Sequence, residues 1–138
     1  MAEVDPISDN AIQTILVVDD EVLIRMVISH YLRACGYRVI EAASADEALT
    51  VLQHLETKVD VVFSDIDMPG SMDGFALSQW LRANRPGIDV ILTGSIPRAA
   101  NEAAGLCDSG PLAKPYESQL VVDRIRRLLA TRAASKKS

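Results

Sequence analysis

Apolar residues along this chain fall into short unbroken runs separated by stretches of helical periodicity. TILVVD (14–19) is β-branched and apolar without alternation, the pattern of a strand covered on both faces. After it, Ile24, Val27, Ile28, Tyr31, Leu32 and Cys35 recur at helical spacing, while Arg25, Ser29 and Arg33 share another face. Gly36 ends that helix, since a residue without Cβ tolerates positive φ. YRVIEA (37–42) predicts a second strand. Ser44 and Glu47 form an S-x-x-E capping box, and the helix it opens carries Ala48, Val51, Leu52 and Leu55 on its buried side. VDVVFS (59–64) is the third strand, followed by the polar loop DIDMPGSMDG (65–74). Leu77, Trp80 and Leu81 mark a helix that stops before Pro86-Gly87, and IDVILT (88–93) is the fourth strand. Pro97 opens a short alanine-rich helix through Ala104, closed by Gly105. PLAK (111–114) is a small fifth strand whose leading proline, Pro111, places it at a sheet edge. The last helix runs from about Glu117 to Ala130 with Val121, Ile125 and Leu128 inward, and TRAASKKS reads as a frayed tail.

Strands and helices alternate, and the strands are apolar throughout. That order calls for one α/β domain, a doubly wound parallel sheet with helices on both faces. Residues 1–13 read as an N-terminal extension, 14–130 as the domain and 131–138 as a basic tail. The 138 residues suit one domain of a size that buries ~70% of its unfolded-chain surface. With 49% hydrophobic and 24% charged residues the composition is that of a soluble globular protein, and Val, Ile, Leu and Ala fill a core poor in aromatics. The formal charge of −5 argues against nucleic acid as a partner, although seven of the fourteen Lys and Arg residues lie from Lys114 onward. Those read as a solvated helix face. No apolar stretch approaches the ~20 residues of a membrane span, and the first residues form no secretion signal. Cys35 and Cys107 form no motif, so free thiols in a reducing cytoplasm are expected.

In open parallel sheets, functional groups collect beyond the carboxyl ends of the strands. Asp19 and Asp20 stand after strand one, Asp65 after strand three, Thr93 after strand four and Lys114 after strand five; strand two ends in Glu41-Ala42-Ala43 and adds nothing as distinctive. Taken singly, each has an ordinary reading: Asp20 as a helix cap, Thr93 as the last residue of a strand, Lys114 as a surface lysine. Together on one rim they form an acidic cleft, and three close carboxylates need compensation. Mg²⁺ on oxygen ligands supplies it, and Lys114 adds a point charge. A carboxylate at a strand tip beside a metal, a lysine and a hydroxyl is suited to phosphoryl transfer.

LVVDDE, the DIDMPG…DG loop, VILTG and LAKPY, in this order, resemble the response-regulator receiver domain of two-component signalling from about Thr14 to Ala130. The resemblance implies a flavodoxin-like fold with strand order 2-1-3-4-5 and a cis Lys114-Pro115 bond. By it, Asp65 is the phospho-acceptor, Asp19 and Asp20 place Mg²⁺, Asp67 adds its backbone carbonyl to the metal, and Thr93 and Lys114 bind the phosphoryl group. A histidine kinase or phosphotransfer protein would be the donor and a downstream protein the target, with homodimerisation left open. No turnover enzyme is implied, only self-catalysed transfer to Asp65 and slow autodephosphorylation. Because eight residues follow the last helix, signalling by docking, without an attached output domain, is expected.

Two departures stand out. The loop has an extra residue near Ser71, and Pro111 replaces the Tyr or Phe that many receivers carry three positions before the lysine. The switch is therefore expected in residues 94–106 instead of in a ring on strand five. Asp65-Ile-Asp67 also fits the D-x-D start of haloacid-dehalogenase-type phosphatases, but Pro69 stands where those enzymes carry Thr or Val and the chain is too short for a cap domain. The same residues would also serve a phosphate sink or shuttle. A degenerate receiver that only binds partners would not need the acidic pair, Asp65, Thr93 and Lys114 all to be present, as they are here. His30 and His54 read as partly exposed helix residues and Trp80 as packing.

Overall fold

A computed structural model describes residues 12–54, 56, 58–70, 72–94 and 112–137. Within them the chain runs β1 (Thr14–Val18), α1 (Val22–Ala34), β2 (Arg38–Ala42), α2 (Ala45–Leu52), β3 (Val61–Asp65), α3 (Gly74–Asn84), β4 (Asp89–Gly94), β5 (Leu112–Ala113) and α4 (Ser118–Lys137). The expected Pro97–Ala104 helix lies outside the described residues, as do Gly105, Cys107, Pro111, Leu55 and Ser71.

The strands form one five-stranded parallel sheet in the order β2-β1-β3-β4-β5. The short β5 is at an edge, where the proline-led run was expected. Alternate β1 residues serve opposite faces. Leu16 and Val18 pack with Ala48 and Leu52 of α2 and Leu77 and Leu81 of α3. Ile15 and Val17 pack with Ile28 and Leu32 of α1 and Val121, Val122 and Ile125 of α4. Burial of β1 and β3 on both sides explains their lack of alternation.

Local signals act as expected at α2: Ser44 Oγ accepts from the Glu47 amide at 3.1 Å, while Glu47 Oε1 accepts from Ala43 N at 2.8 Å. The reciprocal bond thus reaches one residue before the cap. Gly36, at φ 99°, closes α1.

Three expectations need correction. Val27 is 63% exposed, together with Val22, Leu23 and Met26, whereas Ser29 is fully buried. The helix has two apolar stripes, and the sheet covers only the one through Ile28 and Leu32. The last helix does not fray after Ala130 but continues to Lys137. Ala, Arg and Lys are strong helix formers, and Arg132 pairs with Asp89 at 3.0 Å across the base of the sheet. His54, expected on a helix, lies just beyond the end of α2.

Candidate functional site

The carboxyl ends of β1, β3, β4 and β5 bring four of the expected residues to one rim. Asp65 is the last residue of β3 and faces Thr93 of β4 directly in register. The backbone bonds continue past the strand: Ile66 N donates to Thr93 O at 2.7 Å, and Lys114 N donates to Gly94 O at 2.7 Å. Asp19 follows β1 and remains tied to β2 through a 3.1 Å bond from its amide to Ala42 O. These side chains therefore hang from sheet backbone, which limits their drift.

The lysine is the centre of the cluster. Lys114 Nζ lies 3.0 Å from Asp19 Oδ2, 2.9 Å from Glu21 Oε1 and 3.1 Å from Asp65 Oδ2. The remaining oxygens of the two buried aspartates each receive a backbone N–H, Asp19 Oδ1 from Glu21 at 2.9 Å and Asp65 Oδ1 from Asp67 at 3.1 Å. Burial pushes the Asp65 carboxyl up to about 6, against the opposing pull of Lys114. For Lys114, burial works against the charge, but the bonds to Glu21, Asp19 and Asp65 outweigh it and hold the ammonium well above the ordinary lysine range. Thr93 Oγ1 is buried with no hydrogen-bond partner among the described residues, which leaves a hydroxyl for an incoming group. Below them, Tyr116 packs its ring edge-on against Phe63, with centroids 5.4 Å apart.

Asp20 and Asp67 are both exposed, and both line the open cleft of about 990 Å³ that also contains Asp65, Lys114, Leu23 and Val27. Asp20 does not cap α1: the first helical turn takes no side-chain cap. Sequence reasoning missed Glu21, which joins the cluster through Lys114, and Glu41. Glu41 binds Arg25 and Arg33, each at 3.2 Å, and Arg25 Nη1 donates to Asp19 O at 2.8 Å. The signal for Glu21 was the third acid of LVVDDE. None existed for Glu41 without the β1–β2 register, which sets it beside Val17.

Oxygen atoms of Asp19, Glu21 and Asp65 lie within 4.8 Å of one another, a donor set that fits a hard divalent cation such as Mg²⁺. Such an ion and the Lys114 ammonium would draw on the same three carboxylates.

The family model described as the response regulator receiver domain matches residues 15–126. Sensor kinase CckA of Brucella abortus is 36% identical over 118 residues, covering 84% of this chain and 12% of that protein. The transcriptional regulatory protein ResD of Bacillus subtilis is 35% identical, over 83% of this chain and 47% of its own length. The chain thus spans half or less of the length of these relatives. Among solved structures, a receiver domain protein from Clostridium thermocellum superposes with a TM-score of 0.78 at 25% identity, covering 89% of this chain and 98% of that one. The Thermotoga maritima response regulator TrrA, solved with Mg²⁺ and BeF, gives 0.72 at 25% identity over 85% and 99% of the two chains. With the sheet order, the Asp65–Lys114 contact and this match over most of its length, the chain belongs to the response-regulator receiver domain family.

Proposed function

We propose that Asp65 accepts a phosphoryl group from the phosphohistidine of a histidine kinase or phosphotransfer protein, and that the phosphorylated domain signals by docking on a downstream protein. The observation that carries this reading is the buried Asp65 carboxylate held by Lys114 and set in strand register with Thr93, whose hydroxyl has no hydrogen-bond partner among the described residues. In the transfer, an Asp65 oxygen forms the bond to phosphorus as the donor's P–N bond breaks and its electron pair returns to the imidazole ring. Lys114 and Thr93 then bind phosphoryl oxygens. Asp19, Asp20, Asp65 and the Asp67 carbonyl would hold Mg²⁺, which supplies charge neutralisation when bound. Leu23 and Val27 line the same cleft, and this apolar rim suits a protein as phosphodonor. Among the described residues no helix is long and apolar enough to cross a membrane. The reading is tested by phosphotransfer profiling against the host's histidine kinases. Label that appears within seconds from one phosphorylated kinase, and is lost to hydroxylamine, supports it; no transfer from any kinase or from acetyl phosphate refutes it.

Metal binding should register as stability. At tenfold excess over its dissociation constant, Mg²⁺ should raise unfolding free energy by about 1.4 kcal/mol. Asp20→Ala should remove most of that gain, and a wild-type melt insensitive to Mg²⁺ would contradict the proposed ligand set.

Lys114→Ala should retain Mg²⁺ binding but hold beryllofluoride at least about tenfold more weakly, because a charge-assisted bond to the phosphoryl mimic is gone. Isothermal titration of both proteins measures this. Unchanged beryllofluoride affinity would return Lys114 to an ordinary structural role.

A further inference from the structure

Glu21 has a side chain to which the phospho-acceptor reading gives no role, although it lies with Asp19 and Asp65 among the oxygens that a divalent cation could draw on. It stands at the N-cap of α1 with extended backbone angles (φ −86°, ψ 108°), yet its carboxylate makes no capping bond to the helix. Instead Oε1 lies 2.9 Å from Lys114 Nζ, and its amide holds Asp19 Oδ1. One residue therefore grips both groups that contact each other beside Asp65. The three carboxylates around Lys114 differ in mobility: the side chains of Asp19 and Asp65 are 4% exposed, and that of Glu21 is 55% exposed. Glu21 is the arm that can let go into water at low cost.

We propose that Glu21 is a positioning residue that latches Lys114 in the resting site, so that phosphorylation requires Lys114 to be released from Glu21. This rests on the phospho-acceptor reading of Asp65. When Asp65 becomes an acyl phosphate it loses its own charge and a dianionic group arrives next to the lysine. Lys114 is drawn toward the phosphoryl oxygens, and Glu21 is left as a like charge close to them. The latch thus favours the unphosphorylated state twice, by holding the lysine and by repelling the product. It also keeps the ammonium over Asp19 and Asp65 until a phosphoryl group competes for it.

The test compares the wild type with Glu21→Gln, which keeps shape and a hydrogen-bond acceptor but removes the charge. Mg²⁺ affinity is first measured for both proteins by NMR titration, and labelling of Asp65 by acetyl phosphate is then followed with Mg²⁺ saturating. A half-exposed ion pair is worth up to about fivefold in an equilibrium, so Glu21→Gln should gain the phosphoryl group about three- to fivefold faster, with the gap closing at high salt. In the unphosphorylated protein the Lys114 ammonium protons should exchange with water faster in the variant, which a purely helix-capping role would not produce. Equal or slower labelling of the variant overturns the latch. So does a loss of about tenfold or more in Mg²⁺ affinity, which would make Glu21 a metal ligand. A wild type that takes no phosphoryl group refutes the reading of Asp65 instead, and the ammonium exchange alone then decides whether Glu21 holds Lys114.

Discussion

Asp65→Asn should abolish the hydroxylamine-sensitive label that a phosphorylated kinase or acetyl phosphate places on the wild type. The amide keeps the shape of the carboxylate but cannot attack phosphorus, and the neighbouring carboxylates cannot replace it. Asp19 is held by the Glu21 amide and by Lys114, and Asp67 is on the exposed loop. The same variant should be more stable than the wild type at neutral pH in the absence of Mg²⁺. The carboxyl of Asp65 is raised from 3.8 to about 6 in the fold, so the fold favours its neutral form. Its stabilising contribution is complete below the unfolded value and is lost as pH rises through about 6. At pH 7 to 8 the wild type therefore carries a buried carboxylate that Lys114, shared with Asp19 and Glu21, compensates only in part. Asparagine should recover on the order of 1 kcal/mol, a few degrees of Tm, with the gain vanishing near pH 4. Melting curves in EDTA across that range check the sign. Persistent labelling of the variant at wild-type rate would remove Asp65 from its role.

Much of this arrangement could be read from the sequence because strand tips are legible there. A β-branched run that ends in Asp19, Asp65 or Thr93 states both the strand and the residue at its end, and parallel topology brings those ends together. Lys114-Pro115 is cis, as the resemblance implied. The part that could not be read depends on side chains that act across elements. Glu21 looks like an acid placed to favour the helix dipole, and only its reach to Lys114 distinguishes it. Glu41 needs the β1–β2 register to meet Arg25. Both stripes of α1 are apolar, so periodicity alone cannot tell which one the sheet covers, and Val27 proved to be on the uncovered side.

Gly74 provides the second large effect, and its cause is space and not backbone freedom. It is the first residue of α3 and its amide donates to Ile66 O at 3.0 Å. A Cβ there would lie 2.1 Å from the Asp65 carbonyl oxygen, 2.8 Å from Ile66 Cα and 2.9 Å from the Asp65 carbonyl carbon. All three are backbone atoms, so no side chain can swing aside. Ile66 is also fixed on its other side by its bond to Thr93 O. Gly74→Ala must therefore push the α3 entry away from β3 or displace the phospho-acceptor itself. Overpacking against backbone should cost about 3 kcal/mol, near 10 °C in Tm. In the fraction that stays folded, a displacement of Asp65 by an ångström should slow labelling about 100-fold. Gly36→Ala is the contrasting variant: a Cβ there meets nothing within 4 Å, and only the positive φ of 99° is strained. It should lose about 1 kcal/mol and label at the wild-type rate once folded. If Gly74→Ala melts and labels like Gly36→Ala, the backbone of Asp65 yields freely, and the precision assigned to this strand end is not needed for phosphoryl transfer.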